Sequence, residues 1–133
     1  MWLFDTTYII DLFKHDMKAL KKAEDVDKSM ASKNISTVTI HEVLRGIYYL
    51  YEGKKLGEKL KLTEIALNKF NIIPYTYRVA KKAAEIDADL VKRGEMISFP
   101  DIVIAATAHT YDLILVTGNG HFKRFEELKV EGY

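Results

Sequence analysis

The chain has no cysteine among its 133 residues. That absence excludes disulfides, zinc ribbons and thiol nucleophiles, and it suits a reducing compartment. Proline is nearly absent too, with only Pro74 and Pro100. No stretch is rich in Pro, Gly or Ser, and no repeat or low-complexity segment appears, so residues 1–133 read as a single domain. No apolar run approaches the length of a membrane span, and no charged segment precedes a cleavable apolar one. A cytoplasmic protein without a membrane partner is therefore expected. Neither sign of charge dominates, with 20 Lys and Arg against 19 Asp and Glu. A global basic footprint is thus excluded, and any nucleic-acid binding must be local or metal-assisted. What the chain does have is 48% hydrophobic residues, enough for a substantial core and too many for a disordered segment.

Those apolar residues alternate between two kinds of run. "WLF", "NISTVT", "NIIPY" and "LILVT" are short, apolar or β-branched, and read as strands, with "KVEGY" as a possible last one. Pro74 ends "NIIPY" or places it near an edge. Between them lie helical patterns. "TTYIIDLF" is a helical cluster, and "DMKALKKAEDVDKSMAS" is amphipathic with Met17, Leu20, Ala23 and Ala31 toward the core. "HEVLRGIYYLYEG" and "KKLGEKLKLTEIALNKF" form two helices broken near Gly53. "TYRVAKKAAEIDADLVKRG" carries Ala80, Ala83, Ala84, Asp87, Leu90 and Val91 at helical spacing, with Gly94 as a C-terminal stop. "SFPDIVIAATAHTY" is almost wholly apolar in its middle and should be buried, and "GHFKRFEEL" reads as a short helix. Strands alternating with helices imply parallel strands joined by crossover helices, hence an α/β fold: a three-layer α/β/α sandwich around a mainly parallel sheet.

Three acids sit where a strand-like run gives way to a helix: Asp5, Glu42 and Asp101. In an open α/β sheet, ligands bind outside the carboxyl ends of the strands. Each acid alone has an ordinary explanation. Asp5 suits an N-cap. Thr39 and Glu42 fit a capping box, and Ser98 with Asp101 fits one approximately, with Pro100 suited to the first turn. Together, three acids at one sheet edge would repel and raise one another's pKa unless something offsets them. Mg²⁺ or Mn²⁺, which prefer oxygen ligands, would do so. The helix N-termini keep the acids ionised but repel a cation, so the carboxylates must dominate. "TGNGHF" after the fourth strand reads as a turn and would bring Thr117 and Asn119 to the same edge, where they could hold a water or a phosphate oxygen.

The stretches "DTTYIIDL", "STVTIHEVLRG", "FPDIVIAATA" and "LVTGNGHF", in this order and at this chain length, resemble the PIN-domain nucleases, and within them the VapC-type toxin ribonucleases. The resemblance covers nearly the whole chain. It implies a parallel sheet in an α/β/α sandwich, an Mg²⁺- or Mn²⁺-dependent endoribonuclease, a homodimer, and a small VapB-like antitoxin that blocks the site. By position, Asp5, Glu42 and Asp101 match the family's acidic metal-binding residues, with Asp5 and Asp101 as direct ligands. Thr6 and Thr117 match polar positions around the site, and Asn119 lies in the turn that holds another site residue. One position departs from the pattern: many relatives carry an acid just before the Phe of the last motif, where this chain has His121. Neutral imidazole is a poor ligand for Mg²⁺ and a better one for Mn²⁺, so a complete second metal site is in doubt, and His121 suits a surface position on a short helix.

The expected reaction is hydrolysis of an RNA phosphodiester by a metal-activated water, leaving a 5′-phosphate and a 3′-hydroxyl, with Glu42 or Asp101 orienting the water. Arg45 falls one turn after Glu42, where it could hold that acid, touch phosphate or make a surface ion pair. Lys54, Lys55, Lys59, Arg78, Lys81, Lys82, Lys123 and Arg124 could line an RNA path or be solvated helix faces. The aromatic run Ile47 to Tyr51 has too many large side chains for one buried face, and part of it should meet an antitoxin segment or a dimer partner. The main competing reading is a non-catalytic PIN-like RNA-binding or assembly module. A receiver-like domain needs an Asp after the third strand, which "NIIPY" lacks. A haloacid-dehalogenase-type phosphatase needs a second Asp where Thr7 stands.

Overall fold

The computed structural model describes residues 1–125 and 127–133. Its centre is a parallel sheet of β1 (Trp2–Phe4), β2 (Lys33–Ser36), β3 (Asn71–Ile73), β4 (Ile114–Val116) and β5 (Val130–Glu131), in the order β3-β2-β1-β4-β5. The helices are α1 (Thr6–Phe13), α2 (Met17–Ser29), α3 (Thr37–Leu50), α4 (Gly53–Leu67), α5 (Tyr77–Lys92) and α6 (Phe99–Thr110). Successive strand residues face opposite sides. Phe4, Ile35 and Val116 pack with Tyr8, Ile9, Ala19, Val26, Val43 and Leu67 from α1 to α4. Leu3 and Leu115 pack with Ile104, Ala105 and Ala108 of α6. Helices thus cover both faces, as the sandwich requires. Beyond α6, α5 adds Val79, Ala83 and Leu90 against Ile102, Val103 and Ala106.

The expected elements appear, with corrections. "NISTVT" is not all strand: β2 stops at Ser36, whose hydroxyl accepts the Val38 N–H at 3.2 Å and starts α3. The β-branched Thr37-Val38-Thr39 is therefore helical, because a good cap and the packing of α3 outweigh a weak strand preference. On α2 the buried positions are Ala19 and Val26, while Met17 is 80% exposed and Ala31 lies beyond the helix. Asp16 caps α2 by accepting from the Ala19 N–H at 3.0 Å, which fixes the start of that narrow stripe. On α5 the buried face is Val79, Ala83 and Leu90 with Ile86 beside them, so Ala84, Asp87 and Val91 face solvent. That rotation buries larger apolar side chains than the face through Ala80, Ala84 and Val91 would.

Breaks fall where the glycines stand. Gly53 (φ +59°) opens α4, and Gly94 (φ +69°) follows α5; both adopt left-handed backbone that a Cβ disfavours. β3 ends immediately before Pro74 and is an edge strand. The short helix expected over "GHFKRFEEL" is a 3₁₀ turn, Gly120–Arg124; Glu126, in its later part, lies outside the described residues. Among the described residues, no helix is long and apolar enough to cross a membrane.

Candidate active site at the sheet edge

β1 and α1 are separated by one residue, Asp5. It is the N-cap of α1 and is 2% exposed. Its Oδ1 accepts from the Tyr8 N–H at 2.9 Å, the Thr7 hydroxyl lies 2.9 Å from both carboxylate oxygens, and the Thr117 hydroxyl donates to Oδ2. Thr117 follows β4 directly, and its Oγ1 also accepts the Asn119 N–H at 2.9 Å. The capping explanation of Asp5 is therefore correct, but it uses only part of the carboxylate. The donated protons number three, against about four acceptor positions on an ionised carboxylate, leaving room for one more ligand.

Glu42 is not a capping residue. With α3 starting at Thr37, Thr39 is buried inside the first turn, and Glu42 is more than a turn along the helix. The Thr6 hydroxyl donates to Glu42 Oε1 at 2.6 Å and stands 3.1 Å from the Thr39 hydroxyl. α1 and α3 are thus tied together beside Asp5. The third acid sits in the first turn of α6, after Pro100, where the Ser98 hydroxyl accepts the Asp101 N–H at 3.4 Å.

Burial pushes the Asp5 carboxyl above its ordinary range; the Thr117, Tyr8 and Thr7 bonds pull it down, and the charge of Asp101 adds a smaller upward push. Burial also raises Asp101, with the Ser98 hydroxyl and the His121 ring working the other way. Asp5 and Asp101 therefore feel each other across the site, and His121 is close enough to act on Asp101. Among the described residues, no ion pair includes Asp5, Glu42 or Asp101. Hydroxyls and a backbone N–H orient these acids, and among the described residues no Lys or Arg pairs with them.

That donor chemistry fits a hard divalent cation. The fit is not a ready-made cage, because among the described residues no three His, Cys, Asp or Glu side chains stand close enough to enclose an ion. A cation here would be held by Asp5 and Asp101.

Other expected site residues fall into place unevenly. Thr6 and Thr117 are buried beside the acids. Asn119 serves the turn, its Oδ1 accepting the His121 N–H at 2.9 Å. His121 is exposed, in keeping with a surface position. Arg45 is exposed, and among the described residues no hydrogen bond or ion pair joins it to Glu42; Thr6 has that role instead. Sequence reasoning missed Thr7, Thr39 and Tyr133. The first two stood within quoted motifs, where a run of threonines around each acid was the available signal. Tyr133 had none, since its partner Asp11 is 122 positions away. A hollow of about 530 Å³ lies elsewhere, between the second half of α5 and Arg124, Phe125, Glu127 and Leu128. The acids occupy an open edge.

A parallel α/β/α sandwich with acids at the carboxyl edge of its strands presents them where open α/β sheets bind their ligands. The PIN-domain family model matches residues 2–128, and the chain belongs to that family. A VapC ribonuclease of Pyrococcus furiosus is 31% identical over 118 residues, covering 89% of this chain and 74% of that protein. Ribonuclease VapC2 of Haemophilus influenzae is 28% identical across 99% of this chain and 97% of its own length. Among solved structures, VapBC2 from Rickettsia felis bound to a promoter DNA fragment contains a chain of the same fold, with TM-score 0.86, 24% identity and coverage of 99% and 98%.

Proposed function

We propose that this protein is the toxin ribonuclease of a VapBC-type toxin–antitoxin pair, an endoribonuclease that hydrolyses RNA phosphodiesters with Mg²⁺ or Mn²⁺ held by Asp5 and Asp101. The observation that carries this reading is the set of three carboxylates at the carboxyl edge of the sheet, oriented by hydroxyls and, among the described residues, without a Lys or Arg partner. The ribonuclease names of its relatives support it.

When bound, a divalent cation supplies Lewis-acid polarisation of phosphate and a more acidic water. The chain's own residues do the rest. Thr7, Thr117 and the Tyr8 N–H fix the plane of the Asp5 carboxylate. Thr6 fixes Glu42 through Oε1, and among the described residues Glu42 has no other hydrogen bond. Its Oε2 is then available to take a proton from the attacking water. The first turn of α6 sets Asp101 opposite. The products carry a 5′-phosphate and a 3′-hydroxyl; a 2′,3′-cyclic phosphate would rule out attack by water. The exposed apolar side chains of α3 and α4, Tyr48, Tyr49, Leu50, Leu62 and Ile65, are the surface proposed for a VapB-like antitoxin or the second subunit of a homodimer.

The test is cleavage of a mixed RNA pool with Mg²⁺, with Mn²⁺ and with EDTA, beside Asp5→Asn and Asp101→Asn. Metal-dependent cleavage lost in both variants supports the reading. A non-catalytic RNA-binding module is the second reading, favoured by the lack, among the described residues, of a preformed three-ligand cage. RNA binding without metal-dependent cleavage would select it.

A further inference from the structure

Beyond β5 the chain turns back over the site. Tyr133 sets its ring edge-on to Tyr8, with centroids 4.9 Å apart at 80°, and so joins the core on that face. Its hydroxyl does something a core residue does not need to do. It donates to Asp11 Oδ2 at 2.5 Å, on α1. It also faces Gly118, where a Cβ would lie 3.1 Å from the hydroxyl oxygen and 3.3 Å from the ring carbon that bears it. Gly118 is not among the glycines with left-handed φ, so what a Cβ there would meet is close approach: the Tyr133 ring would have to give by a few tenths of an ångström. The same hydroxyl is close enough to Thr7 and Asp5 to feel both; burial foremost, then Asp11, holds it well above the ordinary phenol range, so it remains a neutral donor. Thr117, next to Gly118, is pinned from the other side by its N–H to Glu131 O at 3.0 Å.

We infer that Tyr133 is a positioning residue of the acidic site: its hydroxyl, anchored on Asp11, holds the Thr117–Gly118 turn against α1 so that the Thr117 hydroxyl stays on Asp5. The inference concerns the same site as the ribonuclease reading and rests on it only for its kinetic consequence. Packing and positioning separate cleanly here, because Tyr133→Phe keeps the ring on Tyr8 and removes only the hydroxyl. Gly118→Ala makes the complementary change, displacing the hydroxyl from the turn side.

The experiment compares wild type, Tyr133→Phe, Gly118→Ala and the double variant by amide hydrogen exchange, by Mn²⁺ binding without RNA, and by steady-state RNA cleavage. Tyr133→Phe is expected to speed exchange at Thr117 and Asn119 about tenfold, the scale of one hydrogen bond to a charged acceptor, while α2 amides are unchanged. Mn²⁺ binding should weaken several-fold, and kcat should fall while KM for RNA holds. The double variant should be little worse than either single one, since both release the same clamp. Exchange and Mn²⁺ affinity unchanged in Tyr133→Phe would overturn the inference. So would faster exchange spread evenly over the chain, which would make Tyr133 core packing only. A wild type that cleaves no RNA would count against the ribonuclease reading alone, because exchange at the turn still decides the role of Tyr133.

Discussion

Removing the Thr117 hydroxyl is the sharpest single perturbation of this site. Thr117 is 4% exposed and bonds twice through one oxygen, donating to Asp5 Oδ2 and accepting from the Asn119 N–H. Thr117→Val keeps the shape and loses both. A hydrogen bond to a charged acceptor contributes about 1.5–3 kcal/mol, and a stranded N–H costs about 1 kcal/mol more where water reaches it partly. The expected loss is therefore about 2.5–4 kcal/mol. With a specific unfolding entropy near 2.1 cal/mol/K per residue, that lowers Tm by about 9–14 °C in a chain of this length. Thr117→Ser should recover most of it. The pH dependence has a defined sign. The Thr117 bond favours ionised Asp5, so its contribution is complete above the native pKa and lost as pH falls through it. Burial holds that pKa above the ordinary range, so the gap between wild type and Thr117→Val should begin to close at a higher pH than a surface Asp would give. Thermal unfolding of the three proteins across pH measures this directly. A Val variant as stable as wild type, or a Ser variant as poor as Val, would refute the reasoning.

The remaining predictions concern charge, RNA and partners. Asp5 and Asp101 have folded pKa values raised above their unfolded ones, so the stability they contribute without metal is present in acid and is lost as pH rises through the raised values. Mn²⁺ at about a hundred times its Kd should add about 2.7 kcal/mol at neutral pH by mass action, and calorimetry should find no such gain in Asp5→Asn. Lys123 and Arg124 are exposed on the 3₁₀ turn next to the site; reversing both charges should weaken RNA binding and flatten its salt dependence, and an unchanged slope would remove them from the RNA path. Tyr49 is 88% exposed. Tyr49→Ser should leave folding stability within about 0.5 kcal/mol while weakening dimer or antitoxin binding in sedimentation and titration assays.

The strand–helix alternation and the cap position of Asp5 were legible because each reports itself locally. A short apolar run followed by a polar cap and a helical run needs no tertiary knowledge, and parallel strands then place the caps at one edge. What was not legible depends on partners far along the chain. Thr39 and Glu42 match a capping box in sequence, but Ser36 starts α3 three residues earlier and Glu42 bonds to Thr6, 36 positions away. Met17 and Val91 look like core residues by hydropathy, yet each lies beside the buried stripe of its helix, which only the packing partner selects. Tyr133 has an aromatic neighbour and an acid acceptor on α1, and no local pattern announces either.

The kind of residue that holds the acids argues further than their positions do. A carboxylate that serves only structure is usefully paired with Arg or Lys, which cancels its charge. Here Asp5 is held by Thr7, Thr117 and a backbone N–H, and Glu42 by Thr6; the Ser98 hydroxyl flanks Asp101. Hydroxyls fix direction without cancelling charge, so Asp101 adds a small upward push to an Asp5 carboxyl that burial mainly raises, and among the described residues no Lys or Arg pairs with either acid. The lysines and arginines that do form ion pairs meet other acids. A cation from outside would offset that repulsion, in line with the metal-dependent reading proposed above. Replacing Thr7, which is exposed beside Asp5, by Lys should therefore set a cation against the carboxylate and weaken Mn²⁺ binding. Undiminished Mn²⁺ affinity in such a variant would mean that the cation, if any, binds elsewhere.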